Sequence, residues 1–206
     1  HEIMSALDNL EKFLHDESLG LPILVKAGLA HAQFETIHPF LDGNGRVGRL
    51  LITFLLCESG ALSQPLLYLS LYLKRHKQRY YEALQRVRTH GEWEEWLLFY
   101  LEGVAAVSTE ATNTARRLID VFESDRKAIQ AIGRASHTPL VIHDILKKRA
   151  ATTMTAAAKA AHVSFPTAST AMQRLVGLGI VREITGRARD QVFVYDKYLT
   201  ALTDPA

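Results

Sequence analysis

The segment Ile37-His38-Pro39-Phe40-Leu41-Asp42-Gly43-Asn44-Gly45-Arg46-Val47-Gly48-Arg49 lies between two apolar runs of helical spacing. It gathers a base, an acid, three glycines and two arginines into one short stretch. Gly43, Asn44 and Gly45 can present successive main-chain N–H groups at the start of a helix, where the helix dipole also favours negative charge, so an anion is expected there. Phosphate is the natural candidate. Arg46 and Arg49, three residues apart, project to one side of that helix with forked donors suited to phosphate oxygens. Asp42 would repel a phosphate unless a divalent cation lay between them, and a carboxylate together with phosphate oxygens is a usual way of holding Mg²⁺. His38 supplies an imidazole able to accept a proton near neutral pH.

Three rival readings of these letters fail. Gly43 through Gly48 matches G-x-G-x-x-G, but a dinucleotide fold needs a preceding strand and an acidic residue about 20 positions on, and neither is present. A phosphate loop of the G-x-x-x-x-G-K-[ST] type would need Lys-Ser/Thr where Arg49-Leu50 stands. A calcium loop starting at Asp42 would need a glutamate where Thr53 stands. His31, Glu35 and His38 share helical spacing, but their order is not the H-E-x-x-H of zinc proteases, and His31 and Glu35 are read as structural.

Outward from this segment the chain reads as helical. Ile3, Leu7, Leu10 and Leu14 form a stripe on a first amphipathic helix over residues 1–15. Pro22 suits the first position of a second helix, which carries Ile23, Leu24, Ala27, Ala30 and Phe34 and ends before Pro39. Leu50 to Leu56 continue a third helix to Ser59-Gly60, and Lys74 to Arg88 a further one. A long pattern from Trp93 runs toward Arg134. Beyond SHTP (136–139), short helices near 140–149, 155–161 and 166–178 suggest helix-turn-helix. Val181–Ile184 and Gln191–Tyr195 then suggest a hairpin. The expected fold is mainly α: a helical bundle over 1–134 followed by a winged-helix domain over 135–206.

Composition bounds the remainder. The 206 residues carry 24 Lys+Arg and 22 Asp+Glu, a net charge of +2, with 48% apolar residues, which excludes wholesale disorder. No run approaches the ~18 apolar residues of a membrane helix, and residues 1–30 lack the order of a signal peptide, so a cytoplasmic protein without membrane contact is expected. Cys57 stands alone in an apolar run and reads as a small buried hydrophobe. Residues 1–134 carry 15 basic and 17 acidic residues, and the rest 9 and 5, so the basic excess lies at the C-terminal end. That excess fits an ordinary solvated surface as well as nucleic acid.

His38 through Arg49 reads H-P-F-x-D-G-N-G-R-x-x-R and resembles the signature of Fic domains at all nine specified positions. Ala30 to Ile37, Tyr80-Tyr81 and Gly91-Glu92-Trp93 resemble the same family. The resemblance implies an adenylyltransferase that moves AMP from ATP to a Ser, Thr or Tyr hydroxyl of a protein and releases pyrophosphate. It implies His38 as the base, Phe40 as the loop's anchor in the core, Asp42 as the Mg²⁺ ligand, and Gly43, Asn44 and Gly45 as the anion hole. Arg46 and Arg49 would meet the outer phosphates, and Tyr80 and Tyr81 would lie beside the nucleoside. Arg at position 46 favours AMP transfer, since the phosphate-transferring Doc branch has Lys there.

The family's upstream inhibitory helix and its target-aligning flap have no counterpart in residues 1–206, so the chain reads as part of a longer protein. The target protein, self-modification and a homodimer are left open by these residues. In the tail, Thr167, Thr170 and Arg174 on the third helix and Arg187 and Arg189 on the wing fit either DNA or a protein partner. The alternative to an enzyme is a nucleotide-sensing transcriptional regulator that binds DNA.

Overall fold

A computed structural model describes residues 2–64, 68–187 and 189–203. Two compact units, His1–Ala111 and Thr112–Ala206, divide the chain within one long helix. That division lies upstream of the position near 134 expected from the sequence. The reason is that Val121, Phe122 and Ile129 of this helix pack into the second core, so the division falls inside the helix rather than at its end at Gln130.

The first unit is helical: α1 (Glu2–His15), α2 (Ile23–Ile37), α3 (Asn44–Glu58), α4 (Leu69–Arg75), α5 (Lys77–His90) and the first part of α6 (Trp93–Gln130). Pro22 caps α2 rather than beginning it, with ψ at 138°. The helix expected over Lys74–Arg88 is split at His76, whose φ of −107° and ψ of 37° end α4 and open α5. Gly91, at φ +70°, closes α5 in the left-handed conformation that favours glycine.

Helix α2 is the centre of this core. Its Ala27, Ala30, Ala32 and Phe34 pack with Ile52, Leu55 and Leu56 of α3, with Tyr80, Ala83, Leu84 and Val87 of α5, and with Trp96, Phe99 and Tyr100 of α6. Small residues let helices approach closely. A Cβ on Gly28 would stand 2.8 Å from the Tyr100 ring, and the Trp96 indole N–H donates to the Gly28 carbonyl at 2.9 Å. An indole buried in an apolar core needs such an acceptor.

The second unit joins the end of α6 to α7 (His137–Arg149), β1 (Ala151–Thr153), α8 (Met154–Ala160), α9 (Phe165–Gly177), β2 (Arg182–Glu183), β3 (Val192–Val194) and α10 (Asp196–Thr203). Thr153 caps α8 through its hydroxyl, which accepts the Ala156 N–H at 3.2 Å, and Ser164 caps α9 with Pro166 in its first turn. The strands form an antiparallel sheet in the order β1-β3-β2, with Thr152 and Glu183 both opposite Phe193. Strand β1 escapes a sequence reading because three residues between two helices are too few to show alternation.

At the β2 end the Glu183 carboxylate accepts the N–H of Thr185 at 2.7 Å and of Gly186 at 3.0 Å, folding the turn onto itself. The core is built on Ile142, Leu146, Met172, Leu175, Ile180 and Tyr195. Inside it, buried Asp125 accepts the Tyr195 hydroxyl at 2.7 Å and Lys197 Nζ at 2.5 Å, while the same hydroxyl lies 3.1 Å from His143 Nε2.

Candidate active site

The turn between α2 and α3 carries the motif. Helix α2 stops at Ile37 because Pro39 follows, and His38 takes the left-handed conformation at φ +52° while its N–H still donates to Phe34 O at 3.0 Å. A non-glycine residue holds that conformation only where its surroundings enforce it. Part of the enforcement comes from α5, whose Arg88 guanidinium donates to the Glu35 carbonyl at 2.5 Å and to Thr36 Oγ1 at 3.4 Å. The last turn of α2 is thereby fixed to α5. Arg88 gave no signal in the sequence, being one of several basic residues on an amphipathic helix.

Phe40 is expected to anchor the loop through its ring, but the ring is 50% exposed and tilts against Phe34 at 6.3 Å. The anchor is the main chain. Buried Asn44 accepts the Phe40 N–H through Oδ1 at 2.9 Å and donates from Nδ2 to the Phe40 carbonyl at 2.5 Å. The Asn44 side chain is thus spent on the loop, and its contribution to an anion hole is its main-chain N–H.

Gly43, at φ +86°, turns the chain into α3, and its carbonyl accepts the N–H groups of Arg46 and Val47, both at 3.0 Å. No side chain caps α3. The Asn44 and Gly45 amides have no intrahelical acceptor and can face an anion, whereas the Gly43 N–H is taken by Asp42 Oδ1.

Asp42 is almost fully exposed, with one oxygen accepting the Gly43 N–H at 2.6 Å and the other 3.5 Å from Arg46. Among the described residues no group of three or more His, Cys, Asp or Glu side chains is placed to hold a metal. A lone exposed carboxylate beside an amide nest suits Mg²⁺ that takes its other ligands from phosphate and water, so the donor set fits that ion. Arg49 is half-buried.

Beneath this turn lies a buried polar layer. His31 stacks on Trp96 with centroids 5.6 Å apart, and its Nε2 is 2.9 Å from the Tyr80 hydroxyl. Burial pulls the imidazole down to about 4, with Arg49 adding to the effect and the Gly48 main chain opposing it, so it is neutral at physiological pH. Burial raises the Glu35 carboxyl above the usual range, against the pull of His38, Arg49 and Arg88. Tyr80 is raised as well, first by burial and then by Glu35.

Tyr80 is only 4% exposed and belongs to the aromatic core with Trp96 and Phe99, whereas Tyr81 is 55% exposed. The rings of the two tyrosines expected beside a nucleoside lie 5.0 Å apart, but Tyr80 is buried against His31 while Tyr81 is largely exposed.

In the second unit Thr167 and Thr170 lie exposed on α9, and Arg187 and Arg189 are exposed between β2 and β3. Arg174 is exposed but tethered, donating to the Ala135 carbonyl at 3.0 Å. The Thr167 hydroxyl is 2.8 Å from Ser164 Oγ at the helix cap.

Residues 1–56 match the model of the Fic/DOC family. A probable protein adenylyltransferase of Aquifex aeolicus is 38% identical over 65 residues, covering 32% of this chain and 18% of that protein. The protein adenylyltransferase Fic of Aedes aegypti is 35% identical over 94 residues, covering 45% of this chain and 17% of that protein. The matched part thus spans less than a fifth of these relatives' length. A crystal structure of a Fic family protein from Desulfovibrio desulfuricans aligns with 94% of this chain and 55% of its own, with a TM-score of 0.53 at 20% identity, a likeness of fold. Residues 1–56, which carry the motif, are thus similar to the Fic/DOC family.

Proposed function

We propose that the first unit is the catalytic part of a protein adenylyltransferase using ATP and Mg²⁺. The observation that carries the reading is the helix α3 N-terminus, uncapped and opened by Gly43, with His38 held in a left-handed turn before it and Asp42 exposed beside it. In this reading the hydroxyl oxygen of a target Ser, Thr or Tyr attacks the α-phosphorus of ATP. The bond from that phosphorus to the α–β bridging oxygen breaks, pyrophosphate leaves, and His38 takes the hydroxyl proton. The Gly43–Gly45 turn holds phosphate oxygens, and Arg46 and Arg49 neutralise charge growing on the departing pyrophosphate. Mg²⁺, when bound by Asp42 and phosphate oxygens, supplies further neutralisation of that charge.

The relatives' names support AMP transfer, and Arg at position 46 agrees with it. No helix among the described residues is long and apolar enough to cross a membrane, and with the lone Cys57 this supports a cytoplasmic setting. Incubation of the full-length protein with a cell lysate and ATP labelled at the α-phosphate is expected to label protein, and His38→Ala to abolish the label. ATP binding without any transfer of label would instead favour the nucleotide sensor.

The second unit reads as a winged-helix module, and the exposed Thr167, Thr170, Arg187 and Arg189 favour duplex DNA as its partner. Binding to duplex DNA across a salt series is expected to weaken with salt, and Arg187→Ala with Arg189→Ala to reduce the slope. An affinity indifferent to salt would favour a protein partner.

A further inference from the structure

The polar layer beneath the motif contains a carboxyl that the transfer chemistry does not use. Glu35 is 5% exposed, and its Oε1 has no hydrogen-bond partner. The side chain points at the first turns of α3. A Cβ on Gly48 would stand 2.7 Å from Oε1, while a Cβ on Gly45 would stand 3.7 Å from Oε1 and 3.1 Å from Arg49 Nη1. The carboxyl and the guanidinium therefore converge on one side of the turn whose amides open toward the anion site. Only glycine leaves room for that convergence at position 48. A buried carboxyl oxygen lacking a hydrogen bond is costly unless a nearby cation or a bound proton compensates it.

We propose that Glu35 is linked to the phosphate site through the neighbouring Arg49: it takes up a proton when the outer phosphates of a bound nucleotide engage that arginine. The inference rests on the ATP-binding reading above. The groups facing Glu35 are His31 on its own helix, His38 just beyond it, Arg49 on α3, and Tyr80 and Arg88 on α5. His31 does not compete for the proton, since burial holds it neutral down to about 4.

Burial drives the Glu35 carboxyl toward its neutral form, and Arg49 is one of the cations that restrain it. Polyphosphate bound to Arg49 cancels part of that restraint, so the loaded protein holds the proton more tightly than the empty one. Affinity for ATP then falls as pH rises through the window between those two states, by at most ~tenfold per pH unit. AMP, which lacks the outer phosphates, should show a smaller slope.

The test is titration calorimetry of the chain with ATP and with AMP, over a pH series and in buffers of different ionisation enthalpy, to count protons taken up. Wild type is expected to take up more proton with ATP than with AMP. Glu35→Gln, which keeps the shape of the neutral acid, should lose that difference while binding ATP at least as tightly as wild type does at the acid end. Arg49→Ala leaves the carboxyl in place and should also lose it. A folded E35Q protein with the wild-type slope overturns the proposal. Should E35Q not fold, an unchanged ATP-specific uptake in R49A overturns it equally. The two readings separate cleanly. A Glu35-dependent slope without AMP transfer sinks the transferase and leaves this inference, transfer with a slope indifferent to Glu35 does the reverse, and absence of ATP binding sinks both.

Discussion

The Asn44 side chain and the Phe40 main chain bind each other twice, one bond in each direction, across the turn that carries the motif. Asn44 is 2% exposed, so both bonds are sheltered from water. Asn44→Ala removes both bonds at once and leaves the Phe40 N–H and carbonyl without their side-chain partner. The expected loss is about 1–3 kcal/mol, from roughly 0.5–1.5 kcal/mol for each hydrogen bond removed. Urea denaturation would measure it, and ATP affinity should fall with it because the turn loses its brace. A variant with wild-type stability would show that the loop is held elsewhere.

His31 gives a dependence on acid. Its folded value of about 4 lies below the 6.5 of the unfolded chain, so between those values the unfolded state binds more protons. Stability from this residue is therefore complete above about pH 6.5 and is lost as pH falls toward 4. The expected size is a few kcal/mol at most, from ~1.4 kcal/mol per pKa unit. Denaturant midpoints of wild type and His31→Gln over this range should differ in slope, the variant being flatter. Parallel curves would refute the assignment.

Two glycines in helices should respond oppositely to alanine. At Gly48 a Cβ would press on Glu35 Oε1 at 2.7 Å and on His31 Nδ1 at 3.1 Å, so Gly48→Ala should destabilise by ~1–3 kcal/mol through overpacking. At Gly177 a Cβ would meet nothing within 4 Å, so Gly177→Ala should stabilise by ~0.5 kcal/mol or slightly more through reduced unfolded-chain entropy. Thermal melts of the two variants would shift in opposite directions.

In the second unit the Tyr195 hydroxyl lies between Asp125 and His143. Tyr195→Phe keeps the ring but leaves the carboxylate and the imidazole each short of a partner. The expected cost is ~1–3 kcal/mol. Asp125→Asn in the same background should add to the loss, because Lys197 then loses its buried carboxylate partner. Equal stabilities for Y195F and wild type would mean that the network contributes nothing net.

The turn was legible because its geometry is local: the order of His38, Pro39 and Gly43 dictates where one helix stops and the next begins, and the helices on either side announce themselves by apolar spacing. The roles of Phe40 and Tyr80 were not legible in the same way. An aromatic letter does not say whether its ring is spent on the core or offered to a ligand, and here the Phe40 ring is half-exposed while Tyr80 is buried against His31. The extent of each unit also escaped the sequence, since α6 runs unbroken through the division and carries residues of both cores.

The order of residues by itself determined that a glycine-rich turn opens a helix here, with a histidine and an exposed aspartate before it, because those features lie within a few consecutive residues. Only the tertiary structure decided what lies beneath that turn. Glu35, Arg88 and Tyr80 reach it from α2 and α5, and their burial, charge and pairing depend on packing between segments that sequence spacing does not bring together.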